Sequence, residues 1–203
     1  MRVLLVAATE LEIAALRPRL EKNVDVLVTG IGMVATAATC SRALTKERYD
    51  LALNVGVCGS FERSLPPGTV VHVIADRIAE LGVEDGEAFL TLDELHLPAE
   101  SVFANPAPPS IDALRALPAV RAITVNTVHG NERSIAAVVA RFKPQVESME
   151  GAAFMHACLI NDVVFAQVRG VSNIVEKRNR ESWRVAEAIA RLGETALSIL
   201  EHA

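Results

Sequence analysis

A chain of 203 residues that is 51% hydrophobic and 22% charged is long enough to bury a sizeable core and too apolar to be disordered. Its 20 Lys and Arg against 25 Asp and Glu give a net charge of -5, which argues against nucleic acid or an anionic membrane as the main partner, since both reward clustered positive charge. Three cysteines without a C-x-x-C pair and five scattered histidines predict neither a disulfide framework nor a bound metal.

The first apolar run, residues 3–8, is cut short by Glu10 and Glu12, so it reads as a strand rather than a leader. No stretch approaches the ~20 apolar residues of a membrane helix, and the cytoplasm is the expected compartment. A second strand over 24–29 runs into Gly30-Ile31-Gly32-Met33-Val34-Ala35. This G-x-G-x-x-A turn follows the second strand rather than the first, and Asp50 precedes the next strand instead of ending it. Both placements are wrong for a dinucleotide, so the glycines read as a tight strand-to-helix turn, and no organic cofactor is expected.

Residues 51–56 form a third strand continuous with Asn54-Val55-Gly56-Val57-Cys58-Gly59, where bare backbone lets a flat ligand come close. A fourth strand, 69–75, precedes an acidic stretch, 80–94, that lacks a clean period. Five of the nine prolines then fall between Pro98 and Pro118, which predicts an excursion from the sheet. Strands over 122–126 and 163–168 follow. Between them Ile135, Val138, Val139 and Phe142 recur at helical steps, and Val185, Ile189, Leu192, Ala196 and Ile199 mark a long C-terminal helix. The alternation implies one α/β domain over residues 1–203, with a largely parallel sheet flanked by helices. Residues 7–13, 147–153 and 168–173 fall at predicted strand-to-helix junctions, where such sheets place ligands.

Ala8-Thr9-Glu10-Leu11-Glu12 is similar to the acidic N-terminal motif of the methylthioadenosine/S-adenosylhomocysteine nucleosidases. Gly30-Ile31-Gly32, Asn54-x-Gly56-x-x-Gly59, Met149-Glu150 and Arg169-x-x-Ser172 follow in the order of the nucleoside phosphorylase/nucleosidase superfamily. Each is short, but five in register are specific. More narrowly, the run from Glu147 to Phe154, Arg169-Gly170-Val171-Ser172-Asn173 and Gly82-x-Glu84-Asp85-Gly86 resemble the futalosine hydrolases. The resemblance implies a mixed twisted sheet, a purine nucleoside as substrate, and N-ribosidic hydrolysis without metal or cofactor. It also implies a homo-oligomer, with residues 82–103 as the candidate to complete a neighbour's 5′ pocket.

The same resemblance implies roles. Glu12 would activate water; read locally, Thr9-x-x-Glu12 is equally a helix capping box. Glu150 would accept the ribose 2′- and 3′-hydroxyls, with Met149 packed on the sugar; locally they are a first-turn glutamate and a core methionine. Cys58 and Gly59 would lie against the flat ligand. Val128, with Asn126 and His129, falls in the segment that contacts the base in this family, often through backbone. Asn173 stands where the adenosine-type enzymes carry an aspartic acid. It cannot transfer a proton, but its NH₂ suits N7 and O6 of hypoxanthine or guanine; locally, Ser172 or Asn173 caps a turn. Trp183 would cover the 5′ substituent, and Arg178 and Arg180 would meet a carboxylate there or remain solvated charges. Glu10 and Glu12 occupy the loop where the superfamily's phosphorylases carry arginine, which favours hydrolysis over phosphorolysis. A purine nucleoside phosphorylase, an adenosine-type nucleosidase and a non-catalytic nucleoside binder are the alternatives.

Overall fold

The computed structural model describes residues 1–98 and 100–203. Its strands are β1 (Val3–Ala7), β2 (Val24–Val28), β3 (Leu51–Ser60), β4 (Val70–Ile78), β5 (Gly82–Asp85), β6 (Ala88–Thr91), β7 (Val102–Ala104), β8 (Ala119–Thr124), β9 (Val146–Ser148) and β10 (Phe165–Ile174). The helices are α1 (Glu10–Ile13), α2 (Met33–Lys46), α3 (Asp112–Arg115), α4 (Glu132–Phe142), α5 (Gly151–Ile160) and α6 (Val185–Glu201). This is a single-domain α/β fold with a mixed sheet.

The continuous apolar runs of β1 and β3 are buried on both faces, as a two-residue side-chain period requires when helices cover both sides. Val3, Leu5, Leu51, Leu53 and Val55 pack with Ile13, Leu114, Leu192 and Ile199, under α1, α3 and α6. Leu4, Val6 and Ala52 face the other way, onto Cys40 and Leu44 of α2 and Phe154 and Met155 of α5. Truncating Leu5 or Leu53, neither of which has any exposed surface, to Ala costs ~2–5 kcal/mol by cavity formation.

The sheet departs from an open parallel one by closing on itself. β3 pairs parallel with β10, β10 antiparallel with β4, β4 parallel with β8, β8 parallel with β9, and β9 antiparallel with β3. β1 and β2 extend from this ring as a parallel wing. β3 and β10 run past their expected ends to Ser60 and Ile174, so residues 168–173 lie inside a strand and not at a strand-to-helix junction. The stretch 80–94 contains a hairpin, β5–β6, turned at Gly86-Glu87 with Gly86 at φ +61°. The proline-rich excursion still returns a strand, since β7 pairs with β4. Ala99, within the segment expected to reach a neighbour, lies outside the described residues.

Candidate active site

Residues at or just past the carboxyl ends of β1, β3, β9 and β10, the loop after β8 and the first turns of α6 enclose a cavity of about 310 Å³. Glu12, Cys58, Gly59, Val128, Met149, Glu150, Ser172, Asn173 and Trp183 line it, together with Thr9, His129 and Glu147. Arg178 and Arg180 do not. The Arg178 guanidinium lies over the Trp183 ring, 5.3 Å from its centroid, and Arg180 opens an exposed 3-10 turn, Arg180–Ser182. Of the two arginines expected near the 5′ end, Arg178 stacks on the indole of a lining residue and Arg180 is solvated.

Glu12 is 8% exposed and sits on a helix of a single turn. The Thr9 amide and hydroxyl both donate to its Oε2 at 3.0 Å, and the Val57 amide donates to Oε1 at 3.2 Å. Cap and cavity wall are one arrangement: the capping bonds hold the carboxylate in place.

Glu150 is 6% exposed and precedes α5. The Gly32 amide donates to its Oε1 at 3.0 Å. Gly30 and Gly32 adopt φ of +88° and +94°, a region that suits only glycine, so the G-x-G turn serves to aim an amide at this carboxylate.

Behind both acids lies Arg169, 1% exposed. Its Nη2 donates to Asn54 Oδ1 at 2.6 Å, and Nη1 is 3.7 Å from Glu150 Oε2. A Cβ on Gly56 would fall 2.2 Å from Nη1 and 2.9 Å from Glu12 Oε1, so guanidinium and Glu12 face each other across bare backbone. One cation thus offsets the desolvation of two carboxylates.

A β-bulge at Ser172 shifts β10 by one residue against β3, pairing Asn173 with Gly59. Asn173 Nδ2 donates to the Ile174 carbonyl at 3.0 Å, and the Ser172 hydroxyl stands 2.8 Å from Asn173 Oδ1 and 3.1 Å from the Cys58 carbonyl. This orients the amide and leaves it one N–H. On the opposite side of Gly59, the buried Glu147 accepts the His129 amide at 3.0 Å and contacts His129 Nδ1 at 2.6 Å.

Deeper still, Gln167 and Thr124 each donate to Asp76 at 2.9 Å. Burial pushes the Asp76 carboxyl above its ordinary range, against the pull of these two bonds. Burial also pushes the Cys58 thiol up to about 12, which makes it packing rather than a nucleophile. Among the described residues no group of three or more His, Cys, Asp or Glu is placed to hold a metal.

Residues 9–203 match the phosphorylase superfamily. The futalosine hydrolase of Streptomyces coelicolor is 33% identical over 186 residues, covering 86% of this chain and 77% of that protein. The chain belongs to the phosphorylase superfamily, on its futalosine hydrolase branch. The futalosine hydrolase of Thermus thermophilus is 30% identical over 179 residues, covering 86% and 80%. Two solved structures share the fold. That of a Helicobacter pylori futalosine hydrolase has a TM-score of 0.86 at 14% identity, covering 100% of this chain and 98% of that one. That of a 5′-methylthioadenosine/S-adenosylhomocysteine nucleosidase from Colwellia psychrerythraea, in complex with adenine, has a TM-score of 0.82 at 23% identity, covering 100% and 95%.

Three polar residues of this superfamily member went unassigned in the sequence: Arg169, Glu147 and the side chain of His129. For Arg169 a signal existed, because a single arginine in the apolar run Phe165-Ala166-Gln167-Val168-Arg169-Gly170-Val171 is a buried charge in need of a partner.

Proposed function

We propose that the chain hydrolyses the N-ribosidic bond of a 6-oxopurine nucleoside, futalosine foremost, releasing hypoxanthine and dehypoxanthine futalosine in menaquinone biosynthesis. The observation that carries hydrolysis over phosphorolysis is the charge of the cavity. Among its described lining residues are three carboxylates, Glu12, Glu147 and Glu150, and neither lysine nor arginine. A phosphate dianion needs cations; Arg169 lies behind Gly56, already facing Glu12 and Glu150.

Cleavage builds positive charge on the ribose and negative charge on the departing base. Glu12 takes a proton from the water that attacks the anomeric carbon, and its own charge favours the cationic sugar. Glu150 accepts the vicinal hydroxyls and Met149 packs on the sugar. The free N–H of Asn173 donates to O6 or N7 of a base that leaves as an anion, its charge spread onto O6. Ser172 orients that amide, while Cys58, Gly59 and Val128 lie against the base. Trp183 stacks on the 5′ aromatic group.

The cavity wall includes two exposed apolar side chains, Leu11 at 66% and Ile31 at 64%. A second copy of the chain covers them in a cytoplasmic homo-oligomer, residues 82–103 supplying the cover. The test is incubation with futalosine and with inosine, with and without phosphate, followed by product identification. Hypoxanthine and free ribose products independent of phosphate are expected. Ribose 1-phosphate would mean a phosphorylase, and faster release of adenine from methylthioadenosine would mean the adenosine-type activity.

A further inference from the structure

We propose that His129, held by Glu147, selects the purine by its N1 edge: imidazole Nε2 accepts the N1–H of a 6-oxopurine and meets N1 of a 6-aminopurine as acceptor against acceptor. The inference rests on the nucleosidase reading above and assigns it a specificity-determining side chain.

Gly59 is the register partner of two strands at once, Asn173 on β10 and Glu147 on β9. A Cβ there would fall 2.8 Å from Val175 Cγ2, 3.3 Å from Asn173 Nδ2 and 3.6 Å from Glu147 Cγ, so Asn173 and Glu147 flank Gly59 around a packed valine. Gly59, Asn173, Glu147 and His129 line the same cavity, so a flat base lying against β3 there has the amide of β10 at one side and the Glu147–His129 pair at the other.

An ionised carboxylate only accepts hydrogen bonds, so the 2.6 Å contact puts the imidazole proton on Nδ1. The other carboxylate oxygen takes the His129 amide, which ties ring and backbone to one anchor. Nε2 has no hydrogen-bond partner among the described residues, although His129 lines the cavity. In the neutral ring this nitrogen carries a lone pair. A 6-oxopurine presents an acceptor at O6 and a donor at N1, which complement an amide N–H and an imidazole lone pair. A 6-aminopurine inverts both. Glu147 therefore acts as a positioning residue, through the tautomer it imposes.

The experiment measures inhibition by hypoxanthine and by adenine of base release from inosine, in the wild type, His129→Phe and Glu147→Gln, with melting temperatures alongside. The wild type should bind hypoxanthine at least ~10-fold more tightly than adenine. In His129→Phe the ratio should fall towards one through weaker hypoxanthine binding, adenine staying within about threefold. In Glu147→Gln, whose amide admits either tautomer, the ratio should shrink through tighter adenine binding. Equal weakening of both bases in His129→Phe would mean a mere structural staple and overturns the proposal. Wild-type enzyme alone gives a second measurement, since 1-methylinosine lacks the N1–H and should be cleaved ~100-fold more slowly than inosine; parity overturns the proposal even where a variant fails to fold. A wild type that prefers adenine brings down the 6-oxopurine reading and this inference together. A preserved hypoxanthine preference that His129→Phe leaves unchanged removes only the histidine.

Discussion

At the floor of the cavity Glu12, Glu147, Glu150 and Asn173 are largely buried, with their polar atoms fixed by named partners. At its mouth Trp183, Leu11 and Ile31 sit on single turns or loops, and the Arg178 guanidinium over the indole is exposed. The contrast separates two tasks. Groups that meet developing charge gain from being held before the substrate arrives, whereas a surface that accommodates a variable tail gains from few constraints.

The sharpest way to break this comparison is at Glu12. Glutamine keeps the capping bond to the Thr9 amide, so Glu12→Gln should melt within a few degrees of the wild type. Its kcat should nevertheless fall ~10²–10⁴-fold, the range for a lost general base. Single-turnover rates that stay at the wild-type level would place the base elsewhere.

Gly59→Ala tests how rigid the floor is. The added methyl would stand 2.8 Å from Val175 Cγ2 and 3.3 Å from Asn173 Nδ2. A stability loss of ~1–3 kcal/mol in denaturant melts, with a raised KM, is expected; a neutral variant would show a floor that yields.

The mouth should respond more mildly and more selectively. Trp183→Ala should raise KM for futalosine ~10-fold and move inosine less, because only the former carries a ring to stack. Arg180→Ala, on an exposed turn, should change either KM by less than about threefold. Equal effects on both substrates would take Trp183 away from the 5′ end.

The smallest effect lies beneath the floor and concerns pH. A raised Asp76 pKa means that the folded chain holds this proton more tightly than the unfolded one. That contribution to stability is present below the ordinary carboxylate range and is lost as pH rises through the raised value. Urea melts across that window should therefore show wild-type stability declining relative to Asp76→Asn. In the variant, Gln167 can turn its amide and use Oε1, which is buried without a partner in the wild type.

The strands β1 and β2 of the wing and the first halves of β3 and β10 were legible because their burial is written in apolar side chains. The ring was not. β9 is three residues long and includes Glu147 and Ser148, too short and too polar for any period, and it is held by pairing with β3 and β8. The far ends of β3 and β10 contain Gly59, Ser60, Ser172 and Asn173, which local rules assign to turns. The β5–β6 hairpin did leave a signal in Asp85-Gly86. At the site, the motif residues of the floor converge in one cavity, whereas Arg178 and Arg180, proposed from their charge and their position before Trp183, are not among its lining residues. Nothing local indicated that Arg178 would spend its guanidinium face on Trp183.

The antiparallel junction of β9 with β3 rests on two register pairs, Gly59 with Glu147 and Ser60 with Val146, against nine between β3 and β10. It is the thinnest stitch in the barrel wall, where native-state breathing starts most easily. Glu150 follows directly behind it and Asn173 lies across it. A nucleoside that touches both rivets the stitch shut, so amide hydrogen exchange around residues 146–150 should slow more on ligand binding than anywhere on the β1–β2 wing.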